Sequence, residues 1–306
     1  MPDTRPSRFN AWYRAARPRT LTATYVPLGV AAALAIQNGV FDLLRFALSL
    51  IAALLLQVAA NLINEYFDYR RGAEELKQAG QGMVIKHGVM TPREVLIGAV
   101  VTVAAGSLIG LFLLTQSGPL LLWIGLAGVL VVVSYTAGPF PLAYKGLGEI
   151  AVFIFMGPVM VLGAYYVMAR QFSAVPLVVG IPIGFMVAAI MLANNIRDLA
   201  ADRAVKKNTL AVRLGDTGAR QLYFVLVVAA YMTVGAFVVS ELMPITTLAV
   251  LLTVPEARRL VYIFGTSRNQ QTLHQAMGRT ARLHGVFGFW MVIGWGAWLA
   301  FQLIQR

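Results

Sequence analysis

The stretch LLRFALSLIAALLLQVAANLINEYFDYR, residues 43–70, decides the fold. Leu43–Tyr66 is an apolar block with two charged residues, Arg45 near its start and Glu65 near its end, and it is long enough to cross a bilayer core, which takes about 20 helical residues. Its end is different in kind: amides, carboxylates and arginines crowd together from Asn61 onward. Moving outward, similar apolar blocks recur at Leu21–Ile36, Val95–Thr115, Leu120–Ala137, Ile150–Met168, Val175–Asn194, Leu222–Val239, Ile245–Phe264 and Val286–Ile304. Of all residues 58% are hydrophobic and only 12% charged, too few charges to build the polar shell of a soluble domain. Backbone groups in lipid must be satisfied within the segment, so the blocks read as helices. The expectation is an all-α integral membrane protein of nine transmembrane helices. It forms a single domain over residues 1–306, with a basic segment, 1–19, ahead of the first span. Some blocks are short, which predicts tilted helices or interfacial ends. Pro27, Pro158, Pro182 and Pro255 fall inside blocks, where packed neighbours can satisfy the carbonyls that proline releases. Gly98, Gly106, Gly110, Gly125 and Gly128 are read as close helix packing.

Charge orients the bundle. Arg5, Arg8, Arg14, Arg17 and Arg19 precede the first span. Arg70, Arg71, Lys77, Lys86 and Arg93 follow the second, and Lys145 the fourth. Arg197, Arg203, Lys206, Lys207, Arg213 and Arg220 follow the sixth, and the run from Arg258 to Arg282 precedes the ninth. Of the 25 Lys and Arg only Arg45, Arg170 and Arg306 are left for the other side. The positive-inside rule therefore predicts a cytoplasmic N-terminus and an external C-terminus in a multi-pass protein of the inner, plasma membrane. The net charge of +12 is assigned to loops facing anionic lipid, not to nucleic acid. The polar, basic start does not read as a cleavable signal peptide. With no cysteine there is neither a disulfide nor a thiolate metal site, and His87, His274 and His284 are too scattered for a zinc site.

There are only 13 Asp and Glu, so their positions carry information. One cluster closes the second span: Asn61, Asn64, Glu65, Asp68. The other closes the sixth: Asn194, Asn195, Arg197, Asp198, Asp202. Steps of three and four residues put Asn61, Asn64 or Glu65, and Asp68 on one helix face, and Asn194, Asp198 and Asp202 on another. Carboxylates four residues apart repel unless a cation intervenes. Carboxylate and amide oxygens suit Mg²⁺, which binds through one or two carboxylates plus substrate phosphates. Polar groups at membrane depth are costly and tend to mark function. Arg17, Lys86, Lys145 and Arg197 fall on the same side and could hold phosphate oxygens.

These clusters resemble the paired aspartate-rich motifs of the UbiA-type intramembrane prenyltransferases. The likeness is strongest to their 1,4-dihydroxy-2-naphthoate polyprenyltransferase branch. It rests on Arg17-Pro18-Arg19-Thr20, on Asn64-Glu65-Tyr66-Phe67-Asp68-Tyr69 before Gly72, and on Gly82-Met83-Val84-Ile85-Lys86-His87-Gly88. It rests further on Tyr135-Thr136-Ala137-Gly138-Pro139, on Tyr144 to Glu149, and on Asn194-Asn195-Ile196-Arg197-Asp198 with Lys207 to Gly215. The resemblance implies nine helices around a central cavity open toward the cytoplasm. It also implies two Mg²⁺ ions bridging a polyprenyl diphosphate, held by Asn64, Asp68, Asp198 and Asp202. Asp68, Asp198, Asp202 and Tyr135 would then be catalytic, and Arg17, Asn61, Lys86, Lys145, Asn194, Asn195 and Arg197 would bind substrate. The implied reaction moves a polyprenyl group onto an aromatic acceptor, 1,4-dihydroxy-2-naphthoate, with decarboxylation, giving a demethylmenaquinone. Glu65 stands where the family usually has Asp, which leaves its metal role open. The alternatives are another acceptor, such as 4-hydroxybenzoate, and an ion-coupled transporter, whose acids would be expected at mid-span.

Overall fold

A computed structural model describes residues 7–73 and 82–305. Among them there is no strand. The helices are α1 (Arg8–Ala16), α2 (Thr22–Gln37), α3 (Leu43–Arg70), α4 (Pro92–Ser117), α5 (Leu120–Ser134), α6 (Gly148–Met156), α7 (Pro158–Ala169), α8 (Val175–Val179), α9 (Ile181–Ala204), α10 (Leu210–Val239), α11 (Val254–Thr266) and α12 (Gln270–Ile304). Short 3₁₀ turns lie at Pro18–Thr20, Leu142–Lys145 and Ile245–Thr253. Each predicted block coincides with one helix or one broken pair.

Among the described residues, six helical units are long and apolar enough to cross a membrane, or seven if the bent pair Arg8–Thr20 and Thr22–Gln37 counts as one. The chain is thus a multi-pass membrane protein. α9 is the central element: 67% of its apolar window is buried, against 17% in α4 at the periphery. The main core joins α2, α7, α9, α10, α11 and α12 around Ile183, Met186, Tyr223, Phe264, Phe287 and Trp295. A smaller core packs α1 and the ends of α3 and α4 against the loop segment Val84–Met90. α4 and α5 turn Val100, Leu108, Trp123 and Leu130 outward, as lipid-facing helices do.

Three of the four prolines do not sit in continuous helix. Pro158, Pro182 and Pro255 occupy the first turn of α7, α9 and α11, where a missing N–H costs nothing. Only Pro27 lies inside a helix. The two central breaks touch: a Cβ on Gly157 would fall 2.6 Å from Gly184 Cα and 2.8 Å from Gly180 O, so only glycine permits this approach. α10 begins well before the predicted Leu222 and kinks at Gly215 (φ 71°, ψ 176°). α12 likewise begins before Val286, because its polar first half folds as helix against the core through Leu273, Ala276, Met277 and Thr280.

Candidate active site

The last two turns of α3 are tied down by what precedes them. α1 ends at Arg17 in the left-handed conformation (φ 54°, ψ 61°), which bends the chain into α2. Asn61 Nδ2 donates to Ala16 O at 2.8 Å, fastening α3 to this elbow. Glu65 is fully buried and spent on structure. Its carboxylate accepts from Met83 N–H at 3.0 Å, Val84 N–H at 2.6 Å and Arg17 Nη2 at 3.2 Å. Gly82 (φ 79°) lies so close to that carboxylate that a side chain there would collide with it. Glu65 therefore anchors a loop.

Asp68 faces the other motif. Tyr144 Oη donates to its Oδ1 at 2.6 Å, and Lys207 Nζ stands 3.4 Å from its Oδ2. The same Nζ is 3.9 Å from Asp202 Oδ1. One buried ammonium thus lies between a carboxylate of α3 and a carboxylate of α9. Lys207 is steered there by the turn after α9: Lys206 takes a positive φ of 57°, and Lys207 N–H donates to Asp202 O at 2.8 Å. Its Nζ also lies 4.8 Å from the Tyr144 ring centroid. Sequence reading missed both Lys207 and Tyr144. Each stood inside a motif, but nothing in the spacing distinguished them from other basic and aromatic residues nearby.

On α9, Arg197 grips Asp198 with two bonds, Nε to Oδ1 and Nη2 to Oδ2, each 2.7 Å. Arg197 Nη2 also donates to Asn194 Oδ1 at 2.8 Å, and Nη1 meets His274 Nδ1 at 3.1 Å. Asn195 Nδ2 donates to Oε1 of the buried Glu149 at 2.8 Å, another contact that sequence did not foresee. Tyr135 Oη contacts Met191 Sδ at 3.2 Å.

These residues crown a cavity of about 610 Å³. Its polar end carries Arg17, Asn61, Asn64, Asp68, Tyr135, Asn194, Asn195, Arg197 and Lys207. Asp198 and Asp202 are not on the wall. They lie behind Arg197 and Lys207, which present the positive charge. Lys86 and Lys145 are exposed and away from the cavity, with Lys145 Nζ 5.6 Å from the Phe140 ring. The rest of the wall is apolar and drawn from α3, α4, α5, α6 and α7. Here the packing account of the glycines divides. Gly98 packs on Trp12, and Gly106 on Leu56 and the Ala52 carbonyl. A Cβ on Gly110, Gly125 or Gly128 would meet nothing within 4 Å, because these three border the cavity.

The donor set fits a hard divalent cation. Asn64 Oδ1 is buried on the wall with no hydrogen-bond partner among the described residues. It lies one helical turn from Asp68. All nearby donors are oxygens, as Mg²⁺ requires. Among the described residues no three His, Cys, Asp or Glu form a ligand group by themselves.

Residues 25–292 match the UbiA prenyltransferase family. The chain is 34% identical over 279 residues to a Bacillus subtilis protein named 1,4-dihydroxy-2-naphthoate octaprenyltransferase, covering 91% of this chain and 89% of that one. Proteins of the same name from Mycobacterium tuberculosis and Escherichia coli are 37% and 33% identical, covering 70% and 78% of this chain and 73% and 79% of theirs. The fold is shared with a UbiA homolog from Archaeoglobus fulgidus solved with GPP and Mg²⁺, at TM-score 0.56 and 15% identity over 92% of this chain and 99% of that one. It is also shared with a structure of digeranylgeranylglyceryl phosphate synthase, at TM-score 0.59 and 14% identity over 95% and 99%. The chain belongs to the UbiA prenyltransferase family.

Proposed function

We propose that the protein transfers a polyprenyl group from a prenyl diphosphate to 1,4-dihydroxy-2-naphthoate, with loss of the ring carboxyl group. The observation that carries the reading is Lys207 Nζ poised between Asp68 of α3 and Asp202 of α9 at the head of an apolar cavity. An anionic head and a hydrocarbon tail need these two environments joined end to end. The relatives' shared name selects the acceptor.

In this reading the diphosphate sits at the polar end, where Arg17, Arg197 and Lys207 face it. Asn64 and Asp68, on the wall, would hold Mg²⁺, and Asp198 and Asp202 would join them, two ions in all, once Arg197 and Lys207 turn from those carboxylates to the diphosphate. When bound, the metal supplies Lewis-acid stabilisation of charge on the departing diphosphate. The arginines and lysine add to that stabilisation because they are fixed before the allylic C–O bond breaks. The bond electrons leave with the diphosphate, and the allylic carbon becomes a cation. The ring carbon bearing the carboxylate attacks it. Loss of CO₂ returns the bonding pair to the ring, giving the hydroquinone of a demethylmenaquinone. Tyr135 and the apolar wall border the reacting end and exclude water that would trap the cation. Asn61, Asn194 and Asn195 line the same end and orient the head. Lys86 and Lys145, exposed and away from the cavity, add long-range positive charge to the approach rather than bind the head.

The bundle crosses the membrane nine times in this proposal. α2, α3, α4, α5, α6–α7, α8–α9, α10, α11 with its preceding turn, and α12 each make one pass. The N-terminus and the site face the cytoplasm across the inner membrane. Purified protein with labelled prenyl diphosphate, Mg²⁺ and a panel of aromatic acids tests the reaction. Mg²⁺-dependent transfer to the naphthoate, with release of CO₂, is expected. Preference for 4-hydroxybenzoate would move the assignment to another acceptor, and no transfer to any acid would end it.

A further inference from the structure

Beyond the reaction, we propose that the groove between the starts of α2 and α12 binds an anionic phospholipid, phosphate foremost. The groove measures about 570 Å³ and shares no lining residue with the central cavity. Pro18, Arg19, Thr22 and Tyr25 form one wall; Gln275, Arg279, Arg282 and Val286 form the other. Gly278 and Gly285 keep it open. A Cβ on Gly285 would press on Thr22 Cγ2 at 3.1 Å, and one on Gly278 would lie in contact with Arg19 Nη1 at 3.5 Å. Arg19 therefore reaches across the face of α12.

The charge is unbalanced. Glu256 takes two bonds from Arg279, at 2.7 and 2.8 Å, and so accounts for one cation. Arg19 and Arg282 are exposed, and neither has a salt bridge among the described residues. Thr22 is only 7% exposed, and its Oγ1 has no hydrogen-bond partner among the described residues. Two arginines and a tyrosine hydroxyl can hold a phosphodiester, since guanidinium matches phosphate oxygens in pairs.

Below this head the surface turns apolar. Val286, Phe289 and Ile293 on α12, and Tyr25 and Ile36 on α2, are exposed along the seam. The two helices stay in contact throughout. A Cβ on Gly29 would lie 3.3 Å from Val292, and Trp295 Nε1 donates to Gln37 Oε1 at 2.6 Å. A cationic notch above an apolar seam is the shape of a lipid headgroup over its acyl chains. A free phosphate would use the notch and leave the seam bare.

The test is native mass spectrometry of the full chain, with phosphatidylglycerol, phosphatidylcholine or inorganic phosphate added separately. Retention of phosphatidylglycerol over phosphatidylcholine is expected. Arg19→Gln and Arg282→Gln should each weaken it about fivefold, the effect of one basic residue beside an anionic surface. Arg282→Lys, which keeps the charge, should retain most binding, and transferase activity in detergent reports that each variant is folded. Equal retention of both lipids, or retention unaltered in the two Gln variants, would overturn the proposal. Displacement of the lipid by inorganic phosphate, bound as tightly on its own, would make the notch a free-anion site and also overturn it.

Discussion

At the residue scale, the two carboxylates in the first motif have opposite duties. Asp68 meets Tyr144 and Lys207 at the cavity, whereas Glu65 holds backbone N–H groups of the loop that covers it. Asp68→Asn and Asp198→Asn should each lower turnover by about 10²–10³, the loss typical of removing one electrostatic stabiliser, with membrane insertion kept and the melt lowered, because Lys207 or Arg197 is left buried without that counter-charge. Single-turnover rates and a thermal melt check this, and full activity in either variant would remove that residue from the site. Glu65→Gln should differ in the function it spares. Its amide turns a donor toward buried N–H groups, at a cost of about 1–3 kcal/mol. The melt should fall while the Mg²⁺ concentration for half-maximal activity holds. The pairing of motifs was legible from spacing alone, because Asn and Asp at helical steps near a membrane surface have few other uses. The partners were not. Lys207 and Tyr144 act through a turn and a loop, whose geometry no periodicity encodes.

At the element scale, hydropathy located every helical unit from α2 onward, since each is solvated by lipid or core along an apolar length, and it passed over α1, which is polar and basic. It misjudged two ends. The polar starts of α10 and α12 fold as helix because they pack on the bundle, not because they enter lipid. It also misread the glycines, because packing against a neighbour and bordering a void leave the same mark in a sequence. On α5, Gly125 and Gly128 sit one turn apart with open space where a side chain would project. If the tail lies along this wall, Gly125→Leu and Gly128→Leu fill part of its path. The longest prenyl diphosphate turned over should then shorten by one or more isoprene units, with the rate on short donors kept. A chain-length series read by mass spectrometry of the products decides it. An unaltered length profile in both variants would place the tail elsewhere.

At the scale of the whole molecule, the pattern of basic loops predicts that alternate connections lie on one side of the membrane. The six units that satisfy length and apolarity outright do not by themselves fix the count. α5, of 15 residues, and the turn-plus-helix Ile245–Thr266 carry the remaining crossings in the nine-span arrangement. Helix tilt or local thinning of the bilayer accommodates such short passes. The chain contains no cysteine, so a single introduced thiol reports one position without a background. Ser7→Cys and Lys206→Cys should react with a membrane-impermeant maleimide only in inverted vesicles. Ser240→Cys, in the connection after α10, should react only in right-side-out ones, as should Gln305→Cys. The Ser240 and Arg268 positions are the decisive pair. If Ile245–Thr266 crosses the membrane, Ser240→Cys and Arg268→Cys label from opposite sides, and Arg268→Cys shares the side of Lys206→Cys. Labelling of both from one side would make that segment re-entrant, lower the count, and place α12's basic start, with Arg279 and Arg282, on the opposite face from the motifs. That outcome conflicts with the contact of His274 on α12 with Arg197 on α9. The same two elements that build the site therefore demand an even number of crossings between them.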